Sequence, residues 1–568
     1  MLPEERDRII SEEYADLIIE YNGDTSIFEQ FPDSTVQIIN FQLAFVHVPV
    51  SFITQDIVYR MGYGAMPTCF GIISESSLEA SGVFRLRNIP VFNLRGQGIL
   101  IGIIDTGVDY TNPIFKYADN TTRILSIWDQ TIVSDNPPEG MAYGTEYTRE
   151  QINEALQNEE PLSVVPSTDD NGHGTILAGI SGGNQVAESN FYGVAPDVEY
   201  VVVKLKPAKQ YLKDFFYIPD SVACFQETDM FLGMRYLHEL SISLGTPMVI
   251  CIALGSSQGA HDGLGTLSTY ISAISTAPKM GVVIAAGNEG NARRHYSGRA
   301  NPTTGYDTVE LNVGENERGF SMELWGSRPD IYSIDILTPS GEYIPRIAAG
   351  RDEHRVITFI FEATIIYVDY QMVESQSGDQ LILVRFDNPS PGIWRFNVYN
   401  RGDINMGFNI WLPMERFISD NTYFIRSDPY TTILSLGNTN FPLTVTAYND
   451  ADDSLYLNSS RGYTRINIIK PSVAAPGVNV IGPTLDGGFA PYTGTSVSAA
   501  HTAGIAALIF EWGIIRNNLP SMSTIELKNL IIRGARRDAD LIYPNRDWGF
   551  GILDIYNVFD VLRSGIGI

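Results

Sequence analysis

Short, unbroken apolar runs alternate with longer helix-like stretches, and this rhythm restricts the fold more than any other feature of the chain. The runs lie at Ile99–Ile104, Val201–Val203, Met248–Leu254 and Val282–Ala286. Apolar runs of this length without alternation are typical of strands covered on both faces, as in a parallel sheet. Because helix candidates such as Thr228–Leu244 separate the runs, we expect an α/β fold in which helices cover both faces of a parallel sheet.

A different pattern interrupts this rhythm between residues 301 and 429. Residues 309–313 and 333–337 alternate polar and apolar side chains, and turn-forming segments such as Pro389–Gly392 separate further strand candidates. Many short alternating strands at this spacing predict a β-sandwich. We expect its tryptophans to be core residues, although a ligand-binding role for the insert is the alternative. These tryptophans are Trp325, Trp394 and Trp411.

The chain before the parallel rhythm carries a strand-like run of its own, Phe41–Val50, and we interpret it as a small separate domain. The α/β rhythm resumes near Ile433, so the β-sandwich is predicted to be inserted into the core. The predicted division is 1–74 for the N-terminal domain, 75–300 for the first part of the core, 301–429 for the insert and 430–568 for the second part of the core.

Charge and composition exclude several classes of partner. The 568 residues include 38 Lys and Arg against 66 Asp and Glu, which gives a net charge of −28. Such a field repels phosphate backbones and anionic membranes, so we expect no nucleic-acid partner. We find no apolar run near the roughly 18 residues that span a bilayer. Three scattered cysteines predict neither a disulfide framework nor a zinc site, and the charged start, Met1–Asp7, does not resemble an export signal.

Asp105 stands at the carboxyl end of the first core strand, in the motif Gly102–Gly107. A carboxylate there can orient a histidine and stabilise its protonated form. The Asp-Thr-Gly sequence also occurs in aspartic proteases, but these need two such carboxylates and we find no second copy. The remaining alternative is an ordinary turn aspartate after a strand.

His173 lies in the motif Asn171–Thr175, between two glycines and just before a predicted helix, Thr175–Ile180. Imidazole can take a proton from a hydroxyl near neutral pH and return it. The alternative is a polar loop histidine. A metal site is not predicted, because the seven histidines are dispersed and no His-Glu-x-x-His motif occurs.

Asn288 follows an apolar strand in the motif Ala285–Gly290. Its amide can donate a hydrogen bond to an oxyanion, a contact that lowers an activation barrier by about 3 kcal/mol. The alternative is an asparagine in a turn.

Ser496 begins a long apolar helix candidate, Ser496–Trp512. The N–H groups and the dipole at a helix N-terminus favour negative charge. A serine oxygen there can attack a carbonyl while its own backbone N–H donates to the oxyanion. The alternative is a helix cap, which serine often provides.

These four motifs favour one chemistry when they are taken together. Aspartate precedes histidine and histidine precedes serine, which is one of the known chain orders of the acyl-transfer triad. If the four residues had no shared catalytic role, all four of the alternatives given above would have to be true at once. The sequence therefore predicts a serine hydrolase.

By these motifs the chain resembles the subtilisin-like serine proteases, or subtilases. Similarity extends to Ala475–Gly477 and Trp548–Gly551, and covers about residues 98–297 and 432–562. The resemblance implies a triad, an oxyanion residue and an edge strand that pairs with the substrate backbone, with no cofactor. The residues so implied are Asp105, His173 and Ser496 for the triad, Asn288 for the oxyanion, and Ala253, Leu254 and Gly255 for the edge strand.

Further features resemble the clostridial Csp germination proteases, among them Leu94–Gly98 before the first strand, the run Ser496–Ala500 and the inserted β domain. This resemblance implies an α+β propeptide that is cut autocatalytically and can stay bound to the enzyme. It also implies a jelly-roll insert and, as substrate, an inactive cortex-lytic enzyme of the spore. We accordingly expect the protein in the cytoplasm or packaged in the spore.

Three positions depart from the common subtilase pattern. Ala500 replaces a proline after the serine, and Ile176 replaces a second histidine after the first. Ile114 stands where many subtilases have a calcium-binding aspartate, so no metal site is predicted. None of these changes removes a triad group.

Two functional hypotheses follow. The first is an active serine endopeptidase whose partners are protein or peptide substrates and its own propeptide. The second is a propeptide-locked or signalling protein on a subtilase fold, with little free proteolytic activity. Self-processing near residues 71–78 would favour the first hypothesis.

Overall fold

The N-terminal part of the chain folds as a small α+β unit. This computed structural model describes residues 3–73, 94–189, 191–347, 350 and 352–565. The first elements are α1 Pro3–Ile10, β1 Tyr14–Glu20, β2 Thr35–Ile38, β3 Leu43–Pro49, α2 Ile57–Met61 and β4 Cys69–Ile72. Three of these strands form an antiparallel sheet in the order β1-β3-β2, whereas β4 pairs with strands of the core.

The first part of the core alternates strands and helices. Its strands are β5 Leu100–Asp105, β6 Ile124–Asp129, β7 Thr145–Thr148, β8 Glu199–Lys204, β9 Phe225–Gln226, β10 Met248–Ile252, β11 Leu254–Gly255 and β12 Met280–Ala285. Its helices are α3 Arg149–Leu156, α4 His173–Gly182, α5 Gln210–Phe216, α6 Glu227–Leu244 and α7 Thr266–Thr276. Short β9 and β11 flank β4 in a separate three-stranded sheet.

The insert consists of two antiparallel sheets that share one buried cluster of side chains. Its strands are β13 His295–Gly298, β14 Tyr306–Val313, β15 Gly319–Gly326, β16 Tyr332–Leu337, β17 Tyr343–Ile347, β18 Asp352–Thr358, β19 Ile365–Gln371, β20 Gln380–Asp387, β21 Gly392–Asn400, β22 Phe408–Trp411 and β23 Tyr423–Phe424. The sheet orders are β13-β22-β15-β20-β19-β18 and β17-β16-β21-β14-β23. The three tryptophans of the insert are buried, as expected for core residues.

The second part of the core completes a central sheet of nine strands. Its elements are β24 Leu443–Asn449, β25 Ser454–Leu455, β26 Val473–Pro476, β27 Val480–Pro483, β28 Phe489–Tyr492, α8 Thr495–Phe510, α9 Thr524–Gly534 and α10 Ile555–Gly565. The order of the sheet is β25-β24-β12-β10-β5-β8-β6-β7, with β26 beside β24. Strands β6, β8, β5, β10, β12, β24 and β26 run parallel, and β7 and β25 are antiparallel edges.

Helices cover both faces of this sheet. On β5, Ile103 packs into the same buried cluster as Leu177 of α4. The next residue, Ile104, points to the other face and packs into the cluster that contains Met230 of α6. Because successive strand residues face opposite ways, a strand buried on both faces reads as an unbroken apolar run. The predicted α/β fold with a parallel sheet and additional antiparallel sheets is therefore confirmed, while the jelly-roll topology and the domain boundaries stay predictions.

Some predicted elements differ from those observed. The apolar run 248–254 is two strands, because β10 ends at Ile252 and β11 joins a different sheet. The helix predicted from Thr175 begins at His173, so the histidine belongs to its first turn. The strand β13 at His295–Gly298 lies in a sheet of the insert, before the predicted boundary at 301.

One helical stretch, Thr495–Ile515, is long and apolar enough to cross a membrane, contrary to the expectation from the apolar runs alone. It consists of α8 and the turn of π-helix that follows. Within the described residues it lies in the interior of the fold, with 83% of its most apolar window buried. Its composition is that of a core helix that packs against the central sheet.

We expect Gly504→Ala to destabilise the fold, because Gly504 allows α8 to approach α4 closely. A Cβ at this position would lie 2.5 Å from the carbonyl oxygen of Ser181 and 2.5 Å from Cβ of Val194. Overpacking of this kind costs about 1–3 kcal/mol. The thermal midpoint of the purified chain should fall accordingly in a calorimetric scan.

Gly265→Ala is the matched control for this change. Gly265 has an ordinary φ of −56°, and the nearest atom to an added Cβ, Oε1 of Gln376, is 3.7 Å away. We expect a change below about 0.5 kcal/mol. Equal thermal midpoints for both variants would contradict the proposed role of the close helix contact.

Candidate active site

Asp105 and His173 are the first pair of predicted residues that the structure brings together. Asp105 ends β5 and His173 begins α4, and both side chains are buried. Oδ1 of Asp105 lies 2.8 Å from Nδ1 of His173. The two loops can approach so closely because residue 174 is glycine: a Cβ there would lie 2.1 Å from the carbonyl oxygen of Gly107.

Asp169 ties these two loops together and was not singled out from the sequence. Its Oδ1 accepts hydrogen bonds from Oγ1 of Thr106 at 2.7 Å and from the N–H of Gly172 at 2.8 Å. Its Oδ2 accepts from the N–H and the Oγ1 of Thr175 at 2.9 and 2.7 Å. Asp169 is therefore a positioning residue for the histidine. Its only sequence signal is an acidic residue four positions before His173, which many exposed turns share.

The second ring nitrogen of His173 meets the N-terminal unit. Nε2 of His173 lies 2.9 Å from the carbonyl oxygen of Ile73. Both partners of the ring, a carboxylate and a carbonyl, can only accept hydrogen bonds. The imidazole must therefore carry a proton on each nitrogen to satisfy both contacts, so this arrangement holds the charged form.

The electrostatic surroundings agree with a charged ring. Desolvation of the buried imidazole disfavours its positive charge. The charge and the hydrogen bond of Asp105, with smaller help from the Ile73 carbonyl and Asp169, act in the opposite direction. Together they raise the pKa of His173 above its ordinary value.

Ser496 lies in the first turn of α8, where its side chain is buried at 1% exposure. Among the described residues its Oγ has no hydrogen-bond partner. The predicted hydroxyl–imidazole hydrogen bond is thus not made in this arrangement, because the carbonyl of Ile73 already occupies Nε2 of His173. A buried hydroxyl without a partner is costly and is typical of a functional group.

Asn288 follows β12 and contacts the start of the serine helix. Its Oδ1 accepts hydrogen bonds from the N–H and the Oγ1 of Thr495, both at 3.2 Å. The same Oγ1 accepts from the N–H of Gly287 at 2.9 Å. Since the carbonyl side of the amide is held by the residue before Ser496, Nδ2 is the side that can donate to an oxyanion.

The predicted edge strand does pair with a peptide, and that peptide belongs to the same chain. Strand β4 pairs antiparallel with β11, with Leu254 opposite Ile72 and Gly255 opposite Gly71. On its other side β4 pairs antiparallel with β9. Ala253 lies just before β11 and is fully buried. Backbone pairing on two sides fixes the register of β4 relative to His173.

The side chain of Ile73 fills a pocket beside β11. An added Cβ on Gly255 would lie 2.9 Å from Cδ1 of Ile73 and 2.3 Å from Cδ1 of Leu434. An added Cβ on Gly287 would also meet Leu434, at 2.5 Å from its Cγ. Gly255 thus leaves room for the side chains of Ile73 and Leu434, and Gly287 leaves room for that of Leu434.

No group of three or more His, Cys, Asp and Glu lies close enough to hold a metal ion within the part of the chain that the structure describes. The three cysteines are free and buried, as expected for small apolar core residues.

The sequence model of the subtilase family matches residues 96–313 and 427–551. The chain therefore belongs to the subtilase family, and the resemblance inferred from the four motifs is confirmed. The match stops within the insert and resumes after it, and the N-terminal unit lies outside it.

Three known proteins show where in this family the chain lies. The solved structure of the Clostridium perfringens CspB protease matches with a TM-score of 0.76 and 30% identity, over 85% of this chain and 98% of that protein. The PII-type proteinase of Lacticaseibacillus paracasei is 22% identical over 83% of this chain. The subtilisin-like protease SBT1.9 of Arabidopsis thaliana is 24% identical over 81% of it. The chain spans only 26% and 62% of the lengths of the last two relatives.

We expect nuclear magnetic resonance of ring-labelled histidine in a Ser496→Ala chain to show a raised pKa for His173. The pKa should lie above 6.5 and should fall in the additional variant Asp105→Asn, which removes the carboxylate charge. Since the pKa is higher in the folded chain, this stabilisation is complete below the unfolded value and is lost as pH rises through the folded pKa.

His261 is the internal reference in the same spectra. Burial lowers the pKa of His261 to about 4, although hydrogen bonds to two backbone carbonyls act in the opposite direction. Asp105→Asn should leave this pKa unchanged. A His173 pKa at or below 6.5, or one that does not respond to Asp105→Asn, would contradict the electrostatic account.

Proposed function

We propose that this protein is a serine endopeptidase that cuts its own chain after Ile73 through an acyl-enzyme. One observation carries the proposal: the Ile73 carbonyl meets Nε2 of His173 at 2.9 Å, at the end of a strand held between β9 and β11. A strand bound in this way presents one peptide bond to the site and keeps its neighbours away.

Acylation requires the hydroxyl of Ser496 to replace the carbonyl at Nε2 of the neutral His173. Oγ of Ser496 then attacks the carbonyl carbon of Ile73 while Nε2 accepts the hydroxyl proton. The oxyanion accepts hydrogen bonds from Nδ2 of Asn288 and from the Ser496 N–H. Asp105 keeps the ring oriented and stabilises its positive charge.

Release of the fragment completes the reaction. His173 gives its proton to the nitrogen of residue 74, the Ile73–Ser74 bond breaks, and the N-terminal fragment is held as an ester on Ser496. A water molecule, deprotonated by His173, then attacks the ester; the bond to Oγ of Ser496 breaks, His173 returns the proton to that oxygen, and a carboxylate on Ile73 is freed. The same carboxylate can stay against the protonated imidazole, as the carbonyl does here.

The physiological substrate is proposed by likeness. We propose, from the resemblance to the Csp germination proteases, that the substrate is an inactive cortex-lytic enzyme of the spore. The similarity to the solved CspB protease of Clostridium perfringens, at 30% identity over 85% of this chain, supports this proposal. This role would place the protein in the spore.

We expect the purified wild-type chain to contain an N-terminal fragment that ends at Ile73, and Ser496→Ala and His173→Ala to remain uncut. Loss of the nucleophile or of the base should reduce self-cleavage by at least about 10³-fold. Denaturing electrophoresis with intact-mass analysis measures both the cut and its position. A fluorophosphonate probe should label Ser496 in the wild-type chain only.

Ser498→Ala is the matched control, since it removes a hydroxyl two residues along the same helix. Oγ of Ser498 donates to the carbonyls of Ala475 and Pro476, both at 3.1 Å. We expect this variant to be cut at the same bond. A wild-type chain that is folded, uncut and unlabelled would refute the proposed activity.

The second candidate is a subtilase-fold protein whose site stays closed by its own N-terminal unit. Asp16 of β1 is buried, and its Oδ1 lies 2.7 Å from Nζ of Lys209 and 2.7 Å from Nδ1 of His47. Burial opposes ionisation, but Lys209 and His47 outweigh it and lower the pKa of Asp16. A buried charge pair across this contact favours persistent binding of the unit to the core.

The insert also holds the N-terminal unit. Oη of Tyr63 donates to Oε1 of Glu323 at 2.6 Å. Nε2 of Gln371 donates to the carbonyl of Val58 at 3.0 Å. Together with the Asp16 pair, these contacts would retain the fragment after the cut, so a cleaved protein can still be closed.

We expect Lys209→Met to release the cleaved fragment on native size-exclusion chromatography, whereas the wild-type fragment co-elutes with the core. Removing one partner leaves the Asp16 charge buried, which costs about 3–5 kcal/mol. That cost corresponds to about 10²- to 4 × 10³-fold weaker binding.

Lys213→Met is the control in the same segment. Nζ of Lys213 donates to the carbonyl of Asp220 in the core at 2.9 Å. Its fragment should still co-elute. Co-elution in both variants would show that the Asp16–Lys209 pair does not hold the fragment.

A further inference from the structure

The strand β4 presents alternate side chains to two different sides of the cleft. Phe70 belongs to the buried cluster that contains Leu254 and Phe225. Cys69 and Ile73 belong to the other cluster. Because strand residues alternate, Gly71 faces the same side as Cys69 and Ile73. Any side chain at position 71 would therefore point away from the face of β4 that carries Phe70.

Two residues of the insert, Met414 and Phe417, cover the side of β4 that Gly71 faces, and we call them the roof. An added Cβ on Gly71 would lie 3.1 Å from Sδ of Met414 and 3.1 Å from Cε1 of Phe417. These distances are shorter than ordinary contacts between carbon or sulfur atoms. Met414 and Phe417 are each only 3% exposed, so they belong to the packed interior and not to a surface that can swing aside.

The roof is fixed to the loop that carries the oxyanion residue. The N–H of Glu415, between the two roof residues, donates to Oε1 of Glu289 at 2.8 Å. Oε2 of the same carboxylate lies 3.1 Å from Nη1 of Arg294. The N–H of Phe417 donates to the carbonyl of Met414 at 3.1 Å, which closes a turn. The segment from 414 to 417 is thus tied to the residue next to Asn288.

We propose that Met414 and Phe417 form a steric filter that selects glycine at the third residue before the cut bond. The proposal rests on the self-cleavage after Ile73 proposed above, and it defines the class of protein segment that the cleft accepts. Such a segment binds as a β-strand with an aliphatic residue before the bond and glycine two residues earlier. Any side chain at the third position must displace buried atoms of the roof.

The backbone of the bound strand cannot supply this selectivity. Gly71 pairs with Gly255 through main-chain groups, which every residue except proline offers equally. Gly71 also has no φ in the left-handed region, so its conformation does not itself require glycine. Only the roof distinguishes glycine from other residues at this position.

The test is a double-mutant cycle on self-cleavage of the full chain. Gly71→Val should slow the cut by about tenfold to a hundredfold, as expected for overpacking of a buried site. In a chain that also carries Met414→Ala and Phe417→Ala, the same Gly71→Val change should slow the cut by less than about threefold. Gly71→Ala adds a smaller side chain, so it should slow self-cleavage by less than Gly71→Val. Met414→Ala with Phe417→Ala should remove this effect as well.

Ile72→Val is the matched control within the strand, because position 72 faces away from the roof. Its effect on the rate should be the same factor with and without Met414→Ala and Phe417→Ala. Equal rates for Gly71→Val and the wild-type chain would overturn the filter. The filter would also be overturned if Gly71→Val still slows self-cleavage in the chain that carries Met414→Ala and Phe417→Ala. This holds whether the combined variant folds without cutting its bond or does not fold.

An uncut wild-type chain would count against the self-cleavage and not against the filter. The same cycle is then read from thermal midpoints in the Ser496→Ala background, where no bond is cut. Gly71→Val should lower the midpoint when the roof is intact and not when it is truncated. Absence of this coupling would overturn the filter independently of the enzymatic activity.

Discussion

The imidazole of His173 is held between two hydrogen-bond acceptors, and the rest of the molecule is arranged around that contact. The carboxylate of Asp105 comes from the core sheet, and the carbonyl of Ile73 comes from the N-terminal unit. Both bonds can form only when the ring is doubly protonated, which the raised pKa favours. The charged ring cannot accept a proton, so the self-cleavage proposed here would need a local exchange of partners at Nε2.

Three parts of the chain cooperate to place that carbonyl. The core provides β9 and β11, which hold β4 from both sides. The N-terminal unit delivers β4 and is retained by the buried pair of Asp16 and Lys209. The insert contacts the N-terminal unit through Glu323, and its segment from 414 to 417 covers Gly71. An insert far from His173 and Ser496 in sequence therefore contacts the strand that meets His173.

Sequence reasoning found the residues whose chemistry has a local signature. Asp105, His173, Asn288 and Ser496 stand in short motifs at strand and helix ends, and unbroken apolar runs predicted the parallel sheet. It did not find Asp169, and it placed the proposed cut near residues 71–78 without singling out Ile73, because both roles depend on distances between segments that nothing in the local sequence encodes. The break of the run 248–254 into two strands is of the same kind, since it is the pairing of β11 with β4 that separates them.

Selectivity in such a cleft has to come from positions where the strand touches something other than backbone. Main-chain pairing gives affinity to almost any extended segment, so a protease that binds its substrate only in this way would discriminate little. Side chains on one face of β4 enter the core, and on the other face position 71 lies under Met414 and Phe417 of the insert. If the third residue before the bond faced solvent, any side chain would be tolerated there. Met414 and Phe417 instead cover this position and leave no space for a side chain. The insert thereby converts a general peptide-binding edge into a site that reads the size of a side chain.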